Sequence, residues 1–120
     1  MRLRHVLAAA LGLVATSPTQ AQVVGCRTLH GRMFMANGAP TVRIQVDGTR
    51  RVLGVVQAHE RFDDLPAGIR RVWAAKGDEA MWSSELVGDF RVCALTKSRP
   101  GRMQSVSLTD GRRLTLRPRR

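Results

Sequence analysis

Three groups of side chains in this 120-residue chain combine the residue types and spacing that chemistry needs. His59 and Glu60 stand just ahead of Asp63 and Asp64, a set with the donors and acceptors for acid–base work. The same aspartates suit helix capping in a solvated loop, and that is the role expected of them. Met33 and Met35, with His30 nearby, carry soft thioethers of the kind that select Cu(I). In a strand, however, the two methionines share one face and His30 takes the other, so core packing is expected and no metal or other cofactor. No serine stands in a G-x-S-x-G turn, His59-Glu60 lacks the second histidine of H-E-x-x-H, and no glycine-rich phosphate loop occurs. The expectation is a protein without catalytic residues, and so no enzyme.

The third group is cationic. Arg99, Arg102, Arg112, Arg113, Arg117, Arg119 and Arg120 gather near the C-terminus, in a chain whose formal net charge is +11. Lys76 and Lys97 are the only lysines. Guanidinium groups grip carboxylates and phosphates with two parallel hydrogen bonds, which makes these seven arginines candidate contacts for a polyanion. A chain rich in Arg, Ala, Val and Gly is also what GC-rich coding produces. With no Tyr, three Phe and two Trp, a base-stacking platform is thin, and nucleic acid is not expected as a partner. An anionic envelope glycan or lipid headgroup suits the charge better; a protein partner is left open.

That choice of partner follows from the first residues of the chain. Arg2, Arg4 and His5 precede the ten-residue apolar run Val6 to Ala15, and a polar stretch containing Pro18 leads to Ala21. Ten apolar residues do not cross a bilayer, but they do make the core of a secretory signal peptide cut after Ala21. Residues 1–21 are therefore read as a signal peptide and residues 22–120 as one β-domain, exported to the periplasm or the medium. Val23-Val24-Gly25-Cys26 offers a second processing site, a lipobox in which an acylated Cys26 would anchor an envelope lipoprotein of structural or interaction role. The two cysteines of an exported chain more simply form one disulfide, Cys26–Cys93, and the two fates of Cys26 exclude each other.

The elements that must hold these groups read mostly as strands. Thr28–Ala36 runs up to the Asn37-Gly38-Ala39-Pro40 turn. Thr41–Asp47 alternates, with Val42, Ile44 and Val46 on one face, and Asp47-Gly48 turns it into Arg50–Val56. Over Glu60–Gly77 the rhythm changes: Pro66 suits a first helical turn, Ile69, Val72 and Trp73 form an apolar stripe, and Gly77 ends it, predicting one short helix. Strands are expected again at Met81–Ser84 and Val87–Leu95. Arg99-Pro100-Gly101-Arg102 has the residues of a type II turn. A last hairpin is expected to pair Met103–Thr109 with Arg112–Arg117 around Asp110 and a left-handed Gly111. Many short strands and one helix point to a mainly β domain, a sandwich or a small barrel.

Taken in order, Leu29-His30-Gly31-Arg32, Asn37-Gly38-Ala39-Pro40, Val46-Asp47-Gly48-Thr49, Gly88-Asp89-Phe90-Arg91-Val92, Pro100-Gly101 and Val106-x-Leu108 form a pattern of turn and strand ends. This resembles the prealbumin-like, carboxypeptidase regulatory-type β-sandwich. The resemblance implies a small antiparallel β-sandwich with one short helix, acting as a binding or accessory module. The helical stretch before Gly88 departs from that family, and three strands, a helix and further strands also suit an OB-type barrel, the alternative fold. The chain as a whole resembles a group of small exported bacterial proteins.

Overall fold

A computed structural model describes residues 25–58 and 62–119; residues 1–21, expected to be a signal peptide, and Val23, Val24, His59, Glu60 and Arg120 lie outside them. Five strands form: β1 (Cys26–Met35), β2 (Val42–Val46), β3 (Val52–Val55), β4 (Ser84–Ala94) and β5 (Gln104–Pro118). Between β3 and β4 the chain makes a 3-10 turn at Phe62–Asp64 and two short helices, α1 (Ala67–Trp73) and α2 (Asp78–Ser83). The domain is thus mainly β with little helix.

The strands close into one barrel in the order β1-β2-β3-β5-β4, with β4 returning to β1. All neighbours are antiparallel except β3 and β5, which run parallel. Five strands in this order, with the helical connection between the third and fourth, have OB-type connectivity. The antiparallel sandwich is replaced by this barrel for a reason that lies in β5. At 15 residues β5 is long enough to pair with β3 through its first residues and with β4 along the rest, which closes the sheet β3-β2-β1-β4 on itself.

Alternation decides what enters the barrel. Met33 and Met35 of β1, Val42 and Ile44 of β2, Leu53 and Val55 of β3, Leu86, Phe90 and Val92 of β4, and Val106 of β5 point inward and are buried. The helical connection adds Leu65, Ile69, Trp73 and Met81 to the same core. The methionines therefore serve packing, and His30 sits exposed on the opposite face. Asp63 and Asp64 lie exposed in the 3-10 turn rather than capping α1, whose N-cap is Pro66.

Two segments differ from the sequence expectation. Met81–Ser84 is not a strand: Met81 to Ser83 complete α2, with Asp78 and Glu79 favourably placed in its first turn. The hairpin around Asp110-Gly111 is not formed either, since β5 runs continuously from Gln104 to Pro118. Gly111 lacks a positive φ; it admits Ile69 of α1, whose side chain lies 2.7 Å from where a Cβ would be. Arg113 takes the left-handed conformation instead, at φ 52. There the register slips, because Val87 pairs with Thr115 but Asp89 pairs with Arg112. This is a bulge, two residues of β5 facing the single Gly88. A Cβ on Gly88 would come within 2.9 Å of the Arg112 carbonyl oxygen and 2.7 Å of Leu114. Gly88→Ala is expected to lower stability by roughly 2 kcal/mol, because backbone on the bulge must move. A denaturant midpoint unchanged from the parent would show the bulge to be loose.

The cysteines pair as expected: Cys26 and Cys93 form a disulfide between partner positions of β1 and β4. The neighbouring Gly25 and Ala94 pair carries the backbone hydrogen bond, Ala94 N–H to Gly25 O at 2.9 Å. Cys26 and Cys93 therefore occupy a non-hydrogen-bonded pair, the position that brings opposed Cα atoms closest, here 4.0 Å apart.

Candidate functional site

The outer face of β1, β4 and β5 carries a lattice of ion pairs. Because β4 alternates, Glu85, Val87, Asp89, Arg91 and Cys93 all face outward, between the outward residues of its two neighbours. Glu85 accepts from Arg117 Nε at 2.5 Å and from Arg32 Nη1 at 3.0 Å, and its side chain is only 1% exposed. Burial raises its pKa, but the hydrogen bonds and charges of Arg117 and Arg32 outweigh that and hold it below its ordinary 4.5. Asp89 lies 2.9 Å from His30 Nδ1 and accepts from Arg113 Nε at 2.6 Å, partners that lower its pKa. Asp110 accepts from Arg112 Nε at 2.8 Å. Arg119 donates to the Met35 carbonyl and lies 4.7 Å above the Phe34 ring.

This divides the C-terminal arginines. Arg112, Arg113, Arg117 and Arg119 sit on the barrel wall, where carboxylates or a carbonyl and an aromatic ring already engage them. Arg99 and Arg102 lie elsewhere, on the β4–β5 connection. The antiparallel pairings put the start of β1, the end of β2, the start of β3, the end of β4 and the start of β5 at one end of the barrel.

At that end the β2–β3 and β4–β5 connections meet, since β3 and β5 are neighbours. Together they line a depression of about 480 Å3 with Arg50, Arg51, Arg99, Arg102, Ser98, Pro100 and Met103. A second depression of about 390 Å3 shares Arg51 and Ser98 and adds Arg27. No carboxylate lines either. Asp47 is the one acidic residue on these two connections, and its Oδ1 accepts the Gly48 N–H.

The loops are held in place locally. Thr49 Oγ1 donates to the Val46 carbonyl and accepts the Arg51 N–H, at 2.9 and 3.0 Å. Gly101, at φ 73, allows the turn in which Arg102 N–H donates to the Arg99 carbonyl. Gln104 joins the two connections: its Nε2 donates to the Thr96 carbonyl at 2.8 Å and its Oε1 accepts from Arg51.

Arg50 and Arg51 were not among the arginines singled out from sequence. A hint was available, since Asp47-Gly48 opens a turn that ends on an arginine pair, but only barrel closure brings that turn beside Arg99 and Arg102. A third depression, of about 430 Å3, is lined by His30, Arg32, Gln45, Asp47, Thr49 and Arg117, and neither serine nor cysteine lines it. Among the described residues no three His, Cys, Asp or Glu side chains cluster closely enough to hold a metal ion.

The fold and surface define a small disulfide-stapled, OB-type barrel with one strongly cationic end. Comparison of the chain with protein-family models, with curated proteins and with solved structures finds no match.

Proposed function

We propose that this chain is an exported, non-catalytic binding module of the cell envelope that recognises a polyanion. In this reading residues 1–21 are removed on export, and the barrel from Gln22 onward works in the oxidising space outside the cytoplasm. The disulfide favours such a compartment, and it leaves Cys26 no thiol for a lipid anchor. That favours the stapled protein over an envelope lipoprotein.

One observation carries the binding role: four arginines from two loops, with no carboxylate among them, face a common depression. Like charges placed together repel, and a bound anion relieves the repulsion. The wall arginines carry a structural role, because Arg112, Arg113 and Arg117 pair with Asp110, Asp89 and Glu85, and Arg119 engages the Met35 carbonyl and the Phe34 ring. Among the described residues His30 with Asp89 is the nearest approach to a catalytic pair, and Arg113 already shares that carboxylate.

Protein recovered from outside the cytoplasm is expected to have the mass of a chain starting at Gln22 less two hydrogens. Titrated with inorganic polyphosphate, it is expected to bind saturably at low salt and several-fold more weakly at high salt. A diacylglyceryl mass on Cys26 would overturn the soluble form of the reading. Absence of any binding at low salt would overturn polyanion recognition.

A further inference from the structure

We infer that the cationic end is a membrane-docking tip for anionic lipid headgroups, an inference that rests on the polyanion reading and narrows it to one partner. Charge is the first argument. Arg50, Arg99 and Arg102 are exposed, Arg51 is half-buried beside them, and exposed Arg27 and Lys97 border the same end. The other end is different in kind: there Asp63, Asp64, Asp78 and Glu79 are interspersed with Arg70, Arg71 and Lys76. The molecule is therefore polarised along the barrel, with one end almost purely basic. A planar negative surface would orient it with the β2–β3 and β4–β5 loops facing inward.

The second argument separates a lipid surface from a soluble acidic polymer. Between and beside the arginines stand Pro100 and Met103, and Met103 is 37% exposed, one of three large hydrophobic side chains left in solvent among the described residues. Arginines beside a partly exposed, unbranched apolar side chain, whose Sδ lies over Gly54, match a headgroup layer with hydrocarbon beneath it. A glycan or a single-stranded nucleic acid would instead call for an aromatic platform, and no Phe or Trp lines either depression at this end. Neither depression is lined by a carboxylate, and the carboxamide that lines one of them, Gln104, is occupied on both sides by Thr96 and Arg51.

The test is co-sedimentation of the mature, oxidised protein with vesicles of phosphatidylcholine alone and of phosphatidylcholine mixed with phosphatidylglycerol. Binding only to the mixed vesicles is expected. The variant Arg50→Ser/Arg99→Ser/Arg102→Ser should lose about a hundredfold in partitioning, since each arginine near an anionic surface contributes about fivefold. Arg70→Ser/Arg71→Ser/Lys76→Ser removes three charges from the other end and should stay within about twofold of the parent if its helix keeps facing away.

Met103→Gln separates the sources of negative charge. It should weaken vesicle binding several-fold and leave polyphosphate binding unchanged. Equal losses in both triple variants would overturn the inference, because binding would then follow net charge alone. Binding to polyphosphate without binding to phosphatidylglycerol vesicles would also overturn it while leaving the polyanion reading intact. Binding to neither would remove both.

Discussion

Cys93→Ser, or reduction of the wild-type protein, is expected to lower folding stability by about 4 kcal/mol. The disulfide joins positions 67 residues apart, and the chain-entropy account assigns a closed loop of that length this magnitude through restriction of the unfolded chain. The folded state has little with which to offset the loss. Cys26 is the first residue of β1, and beyond it only the Gly25–Ala94 hydrogen bond continues the β1–β4 pairing among the described residues. Urea titrations with and without a reductant measure the effect directly. The midpoint should drop on reduction, and Cys26→Ser/Cys93→Ser should sit at the reduced value and ignore the reductant. A wild-type midpoint indifferent to reduction would show that the pair is not the staple described.

The second large effect belongs to Glu85. Glu85→Ala leaves Arg32 and Arg117 beside a vacated, buried carboxylate position, and should cost about 3 kcal/mol, the lower part of the range for breaking a buried pair. The lower part applies because the two arginines are 40% and 48% exposed and regain water when the carboxylate is gone. The sign with pH follows from the depressed pKa. The stability that the ionised group contributes is fully present above its unfolded value near 4.5, and is lost as pH falls through the lower folded value. Asp89, through His30 and Arg113, and Asp110, through Arg112, are shifted in the same direction and add to the same acid limb. The parent should therefore lose stability as pH drops below about 4.5, and Glu85→Gln should lose less over that window. Parallel pH profiles for the two proteins would show that Glu85 is not the group responsible.

Much of the inner half of the barrel was legible in advance. Val42, Ile44 and Val46 alternate because one face of β2 meets the core, and Met33 and Met35 share a face for the same reason. A disulfide was the simple reading of two cysteines in a chain expected to be exported. Segments with mixed local cues went the other way. Asp110-Gly111 has the chemistry of a hairpin turn, yet Gly111 is there because Ile69 needs the space, a demand made by a helix some 40 positions earlier. Met81-Trp82-Ser83 has the residues of a strand, but it follows Gly77 directly and continues a helical connection that places Met81 in the core.

The outer half was less legible because charge pairing is set by register. Nothing local to Arg117 announces Glu85, or local to Arg113 announces Asp89; those neighbours exist only once β4 lies beside β5. The C-terminal run of arginines therefore looked like one surface and is two. Arg50 and Arg51 belong to the cationic end only through closure of the barrel.

Closure with a covalent stitch at one seam also decides how the molecule breathes. β1 and β4 are held by eight partner pairs and the disulfide, whereas β3 is joined to β5 by three pairs and to β2 by three. The barrel is a ring with one locked link and one slender one. Transient opening must release β3, and with it the strip Val52-Leu53-Gly54-Val55, while the stitched side stays shut. Two molecules caught open together would have complementary unpaired edges at the same place, so exchange of β3 between copies is the misassembly to which this architecture is most exposed.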